Sequence, residues 1–214
     1  MTEKHTEHLH TRDSIHILCD QLGDKVKQTS ALKRNLVIII ILVLSISIGF
    51  AYEYMWNQIE RSTHPREYSE FVEKYSSEYG VPEYIVYSVI KTESSFKGDA
   101  VSHAGAIGLM QMMPETFEWL AQKRGESDNS GLLYDPETNI KYGTYFLSYL
   151  YAEYGNWNTV FAAYNCGMGK VNEWIAGNEY SDEYGNLTEI PIGETREYVK
   201  KVNKAIELYK KLYY

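Results

Sequence analysis

The chain has 214 residues, 44% hydrophobic and 14% aromatic, with a formal net charge of −8 at pH 7. That length leaves room for one well-cored domain plus an appendage. Its only two cysteines, Cys19 and Cys166, lie on opposite sides of a long apolar run. They cannot pair within one chain, so a disulfide framework is excluded and stability must come from the core.

The appendage comes first. Residues 36–52 carry no charge and follow Lys33-Arg34. Seventeen helical residues span roughly 26 Å, slightly short of a hydrocarbon core of about 30 Å. Tyr52, Tyr54 and Trp56 can sit at the interface and complete the crossing, so the pattern predicts a transmembrane signal-anchor helix over 36–56 and a linker over 57–66. Lys25, Lys27, Lys33 and Arg34 precede the span closely, while Arg61 and Arg66 lie farther beyond it. The positive-inside rule then keeps residues 1–35 cytoplasmic and puts the rest outside the membrane in a single pass. The competing reading is a cleaved signal peptide with Gly49-Phe50-Ala51 as the small-x-small site; the long polar stretch ahead of the apolar run argues against it. The tail, 1–35, lacks strong periodicity and reads as a mobile cytoplasmic segment, in which His5, His8 and His10 make a weak metal site. Beyond the span lie 15 of the 21 cations and 23 or 24 of the 29 acids, depending on where Glu53 is counted. That acidic surplus argues against nucleic acid and against a basic patch for anionic lipid.

From about Glu67 the chain reads as short helices with sharp punctuation. Phe71, Tyr75 and Tyr79 mark a first helix that Gly80 stops. Pro82 opens a second. Residues 97–110, rich in Gly, Ala, Ser and His, form a loop or small hairpin. Pro114 opens a third helix through Phe117, Leu120 and Ala121, ending near Gly125. Asp135-Pro136 is an N-cap followed by proline at the first turn of a helix that runs to Gly155. Two shorter helices flank Asn165-Cys166-Gly167. The stretch 177–193 reads as a surface loop, and Asp182 to Asn186 as a turn too sparse for a calcium loop. Tyr198, Val202, Ile206, Tyr209 and Tyr213 mark the last helix. There is no internal repeat and no nucleotide-binding glycine loop.

One residue breaks the pattern of the second of these helices. Val86, Val89 and Ile90 fall on its core-facing stripe, and Glu93 completes that stripe at i+7. Burial disfavours a charged carboxylate, and a helix C-terminus carries partial negative charge. Both raise the pKa, which suits a general acid near neutral pH. The alternative is a glutamate at a fraying helix end that turns to solvent. Cys166 reads as a small packed residue, because a thiol nucleophile wants a histidine and only His64 and His103 lie beyond the span.

Five separated segments agree with a known pattern. They are Glu93-Ser94-Ser95-Phe96, Ala100-Val101-Ser102-His103-Ala104-Gly105-Ala106, Gly108-Leu109-Met110-Gln111-Met112-Met113-Pro114, Ala163-Tyr164-Asn165-Cys166-Gly167 and Glu194-Thr195-Arg196-Glu197-Tyr198-Val199. In this order and spacing they resemble the catalytic domain of lytic transglycosylases of the soluble-lytic-transglycosylase type, in the lysozyme-like superfamily, over residues 67–214. The resemblance implies a mainly α (α+β lysozyme-like) fold with a small loop or hairpin region. It implies a peptidoglycan lyase that needs no metal or cofactor, with Glu93 as the lone acid and then base. It carries over Ser102, Gln111, Met113, Tyr164, Asn165 and Tyr198 as substrate-binding residues. Gln111 and Asn165 would hydrogen-bond the sugar as buried amides that require partners, and Ser102 and Met113 would line the glycan cleft. Tyr164 would offer a face to a sugar, and Tyr198 would bond the catalytic glutamate, supporting its protonated form or its orientation. For Ser102 the plainer reading is a turn cap, and for Met113, Tyr164 and Tyr198 it is core packing. Arg196 and Glu194 would fix the start of the last helix. Cys166 stands where a small residue such as alanine is usual.

Two rivals remain at this level. A hydrolytic muramidase on the same fold wants a second carboxylate to activate water; the nearest in sequence, Asp99 and Glu115, read as a loop cap and a first-turn helix acid. A glycan-binding module without activity, serving an unknown envelope-machinery partner, has no need of an acid on the core stripe.

Overall fold

The computed structural model describes the backbone of residues 3–214 and the side chains of Lys25 and of residues 32–214. The side chains of His5, His8, His10 and Cys19 lie outside the described residues. The chain divides into two compact units, residues 1–58 and Ile59–Tyr214.

A single helix, α1, runs over Glu3–Thr63. The backbone of the tail expected to be mobile is therefore helical. The physical reason is the absence of a breaker: no proline occurs before Pro65, and Gly23 is the one glycine ahead of Gly49. Within α1, Leu32–Thr63 is long and apolar enough to cross a membrane. The large side chains from Leu36 to Phe50 are exposed. Ser45 and Ser47 return their hydroxyls to the carbonyls of Ile41 and Val43, at 2.8 and 2.9 Å, so neither leaves a bare polar group in an apolar surround.

The second unit is helical. Its elements are α2 (Ser69–Tyr79), α3 (Glu83–Glu93), α4 (Pro114–Arg124), a 3-10 turn (Ser130–Tyr134), α5 (Pro136–Tyr154), α6 (Trp157–Cys166), α7 (Met168–Ala176) and α8 (Gly193–Tyr213). The punctuation behaves as the sequence predicts. Gly80, Gly125 and Gly155 close α2, α4 and α5 in the left-handed conformation. Asp135 accepts from the Thr138 N–H at 2.8 Å to start α5, and Asn156 caps α6 in the same way. Among the described residues the β content is limited to isolated antiparallel bridges: Val101–Ile107, Ile107–Met112 and Ser181–Leu187. The first two make the small hairpin region. The third closes the loop at 177–193, where the Asp182 carboxylate accepts from the N–H groups of Tyr184 and Asn186. Arg196 donates to the Ile190 carbonyl at 2.9 Å and so ties that loop to the start of α8.

The core lies between α3, α5, α6 and α8. Val86, Val89 and Ile90 of α3 are fully buried, as are Ile140, Leu147 and Leu150 of α5. On α8 the buried face is Tyr198, Val199, Val202, Ala205, Tyr209 and Leu212. Tyr209 stacks on Tyr87 with ring centroids 5.4 Å apart and donates to the Pro65 carbonyl at 2.9 Å. Gly143 on α5 is required by packing: a Cβ there would come within 2.9 Å of the Met110 Cβ and strike its sulfur.

This fixes the sign of one substitution. In an exposed helix Gly→Ala gains up to about 1 kcal/mol. Here Gly143→Ala is expected to lose roughly 1–3 kcal/mol by overpacking, seen as a lower urea midpoint. A raised midpoint would show that Met110 has room to move.

Candidate active site

Glu93 is the last residue of α3. The three residues that share its stripe are fully buried, so the helix carries its carboxyl to the edge of the core. Desolvation pushes its pKa from the ordinary 4.5 to about 7. The nearby Tyr198 hydroxyl opposes the shift, because a donor favours the charged carboxylate. That hydroxyl is enclosed and meets no partner at good hydrogen-bonding geometry among the described residues, yet it lies close enough to Glu93 to act on it. A donor in that place favours the carboxylate over the protonated form. Among the described residues no second carboxylate acts on Glu93.

The chain turns sharply after Glu93. Ser95 (φ 52°) and Phe96 (φ 67°) both adopt the left-handed conformation, costing roughly 1–2 kcal/mol each. The turn drops Phe96 into the core and aims the Ser94 hydroxyl at the Leu109 carbonyl, 2.8 Å away. Glu93 is thereby tied to the loop that holds Gln111.

That loop is clamped by Asn139, a fully buried residue of α5. Its Oδ1 accepts from the Met110 N–H at 2.8 Å, and its Nδ2 donates to the carbonyls of Ile107 (2.9 Å) and Leu133 (2.8 Å). Gly108 passes so close that a Cβ would strike the Asn139 amide and come within 2.6 Å of the Leu133 oxygen; its φ is +81°. The Tyr164 hydroxyl donates to the Met110 carbonyl at 2.8 Å, and burial beside Glu93 pushes its pKa well above 10. Tyr164, Tyr198, Glu93 and the loop thus form one assembly.

The remaining predicted residues fare differently. Gln111 is itself left-handed (φ 49°), and its Nε2 donates to the carbonyls of Ala100 (3.1 Å) and Gly108 (2.9 Å). Both amide hydrogens are engaged, which leaves Oε1 to accept from a ligand. The Ser102 hydroxyl accepts from the Ala106 N–H at 3.0 Å, so it does cap a turn. Asn165 is exposed and makes no side-chain hydrogen bond among the described residues. The burial argument for it therefore fails; it sits at the end of α6, where the helix turns outward at Gly167. Met113 is the N-cap residue of α4, extended ahead of Pro114. Between the start of α4, α5 and the α6–α7 junction lies a groove of about 310 Å³, lined by Glu115, Thr116, Trp119, Phe146, Gly167 and Met168. Met113 and Asn165 adjoin it in sequence, and Phe146 meets the Tyr164 ring at 5.3 Å.

Sequence reasoning missed Asn139, Trp119 and Phe146. Asn139 carries the same mark as Glu93, a polar residue on an apolar stripe, here with Tyr142, Gly143, Phe146, Leu147 and Leu150. Trp119 and Phe146 read as helix-face aromatics, and only the tertiary fold opens a groove beside them.

The transglycosylase SLT domain family matches residues 70–186. The chain is 37% identical over 154 residues to a soluble lytic murein transglycosylase of Escherichia coli (strain K12), covering 69% of this chain and 23% of that protein. It is 35% identical over 178 residues to a membrane-bound lytic murein transglycosylase C of Serratia proteamaculans, covering 72% of this chain and 49% of that one. Against the crystal structure of the 70 kDa soluble lytic transglycosylase of Escherichia coli the TM-score is 0.64 at 31% identity, over 71% of this chain and 25% of that one. A complex of the 70 kDa soluble lytic transglycosylase with bulgecin A gives 0.64 at 28% identity, over 76% and 29%. The chain spans about a quarter of the length of the soluble relatives and about half that of the membrane-bound one.

The raised pKa of Glu93 has a thermodynamic consequence that needs no substrate. Its folded pKa, about 7, stands above the ordinary 4.5, so the unfolded chain gives up this proton first as pH rises. The contribution is intact below about pH 4.5 and is lost between there and about pH 7. Urea midpoints of wild type and Glu93→Gln should therefore diverge over that window, the variant gaining at most roughly 3 kcal/mol relative to wild type, and then run parallel. Curves parallel throughout would put Glu93 in an ordinary, solvated setting.

Proposed function

The chain belongs to the transglycosylase SLT domain family, and on that premise we propose that it is a membrane-anchored peptidoglycan lytic transglycosylase. It would cleave the β-1,4 bond between N-acetylmuramic acid and N-acetylglucosamine and leave a 1,6-anhydro ring on the muramic acid. The observation that carries this reading is a single carboxyl, Glu93, whose burial brings its pKa to about 7 with no second carboxylate acting on it among the described residues. Ordinary glycosidases divide the work between two carboxylates, one of them for the nucleophile or for water. One carboxyl that is half-protonated near neutral pH fits a reaction in which the same group gives a proton and takes one back.

In the first step protonated Glu93 gives its proton to the glycosidic oxygen as the C1–O bond breaks. In the second the Glu93 carboxylate takes the proton of the 6-hydroxyl on the same sugar, and O6 bonds to C1. Glu93 ends as it began, and no water is consumed. Tyr198 orients the carboxyl throughout. The acetamido group of the substrate stabilises the cationic centre, and Gln111 Oε1 is the acceptor left free for its N–H. Tyr164 holds the loop through Met110 and packs its ring against Phe146, which lines the groove. Met113, Asn165 and the turn capped by Ser102 form the walls of the glycan cleft. The long apolar segment of α1 and the cations that precede it support an anchored, single-pass enzyme whose second unit faces the wall outside the membrane. The membrane-bound relative supports membrane association.

Purified sacculi digested by the full chain are expected to yield muropeptides one water lighter than the reducing-end products of hydrolysis. Glu93→Gln should slow release by about 10²–10⁴ while binding to sacculi persists. A digest with only reducing ends would establish a muramidase instead. Because the acid must start protonated, activity should also decline as pH rises past about 7.

A further inference from the structure

Two buried rings stand behind the turn that follows Glu93. Phe96, left-handed at φ 67°, is buried and tilts against Tyr87 with ring centroids 6.4 Å apart. A bulky residue persists in that conformation only where its surroundings hold it. Tyr87, fully buried on α3, is one wall of that seat. Its hydroxyl is no anchor, since it is enclosed without a partner at good hydrogen-bonding geometry among the described residues. The ring is held instead. Tyr209 of α8 stacks on it at 5.4 Å, and the Arg66 guanidinium lies 5.4 Å from its centroid.

Arg66 is fixed in its turn. Its Nη2 donates to the Glu83 carboxylate at 2.9 Å and reaches Glu73 at 3.5 Å. The guanidinium also lies 5.7 Å and 5.6 Å from the ring centroids of Tyr213 and Tyr214. The two residues before it are tied by their carbonyls: Pro65 accepts from the Tyr209 hydroxyl and His64 from that of Tyr213, both at 2.9 Å. Tyr214 closes the set by donating to Glu83 at 2.7 Å. All of these residues belong to the second unit, Ile59–Tyr214. A planar cation among rings, paired at one edge, cannot slide without losing several attractions at once. A ring packed against it shares that fixity, because a close-packed interior transmits displacement. Among the described residues no other cation lies over a ring that meets Phe96.

We propose that Arg66 is a positioning residue for the reaction: through Tyr87 and Phe96 it holds the turn that sets the Glu93 carboxyl at the edge of the core. Arg66 lies ahead of the residues that the family matches, 70–186, so the likeness gives it no role. The link is packing rather than charge. The titratable groups that act on Glu93 are Tyr198 of α8 and Tyr164 of α6. Those around Arg66 are Glu73, Glu83, Tyr87 and Tyr214. The two sets share no member. Packing and charge also predict opposite signs. A loosened turn admits water to Glu93 and lowers its pKa, whereas loss of a nearby positive charge would raise it.

The test reads the Glu93 side-chain ¹³C midpoint in the full chain. Arg66→Gln should lower it from about 7 toward 4.5, by about one unit. Tyr87→Leu should lower it as far, and the double variant no farther than either alone. Val171→Ala, a buried change on α7 outside these contacts, should stay at about 7. The pH above which sacculi cease to be digested should fall with the midpoint in Arg66→Gln. An unchanged midpoint in Arg66→Gln overturns the proposal, and so does a rise. A fall shared by Val171→Ala overturns it in favour of general loosening. Effects of Arg66→Gln and Tyr87→Leu that simply add overturn the chain of contacts. Should Tyr87→Leu not fold, Arg66→Gln against Val171→Ala decides alone. A pH limit for digestion that stays put while the midpoint falls overturns the role in the reaction. The proposal rests on reading Glu93 as the acid, and the two fail differently. A wild-type midpoint near 4.5 overturns that reading and this proposal together, whereas a wild type at about 7 with Arg66→Gln unmoved overturns this proposal alone.

Discussion

The site hangs on the side-chain amide of Asn139. One buried group satisfies a backbone N–H and two carbonyls, and it does so across three segments: the loop after the hairpin region, the turn at Leu133 and α5 itself. An unmet buried backbone group costs about 1–3 kcal/mol, so this clamp decides where the loop lies. Gly108 must be glycine to pass it, and Gly143 must be glycine to seat Met110 beneath it. With the loop fixed, its outward carbonyls become anchors. Leu109 takes the Ser94 hydroxyl and Met110 takes the Tyr164 hydroxyl. The residue before Ser94 is Glu93. The position of the acid is thus set by a polar network that a purely apolar core could not specify.

The chemistry follows from how that position is solvated. Glu93 is held at a helix end against buried apolar residues, and desolvation dominates its titration. Tyr198 acts in the opposite sense, and the balance leaves the carboxyl near neutrality rather than deep in the uncharged range. A group that must both give and take a proton is best placed there. The left-handed residues Ser95, Phe96 and Gln111 mark the backbone cost of the arrangement, and they stand at the two segments that face the reacting sugar in the proposed mechanism.

Much of this is legible in the amino-acid sequence. Helix starts and stops are local chemistry, so Pro114, Asp135, Gly80, Gly125 and Gly155 mark them. Glu93 stands out because burial and periodicity conflict at one residue. Asn139 offers the same conflict, but its meaning depends on the three backbone groups it reaches, which lie as many as 32 residues away in sequence. The state of the Gln111 amide is hidden for a related reason, since its partners are backbone carbonyls that carry no residue signature. Asn165 goes the other way: a motif position suggests burial, and the helix end leaves it exposed.

The proposed reaction depends on one carboxyl being poised to exchange a proton at neutral pH. It is tested most directly by following the Glu93 side-chain ¹³C resonance against pH in the full chain, assigned by its loss in Glu93→Gln. A midpoint of about 7 is expected. A midpoint near the ordinary 4.5 would contradict it.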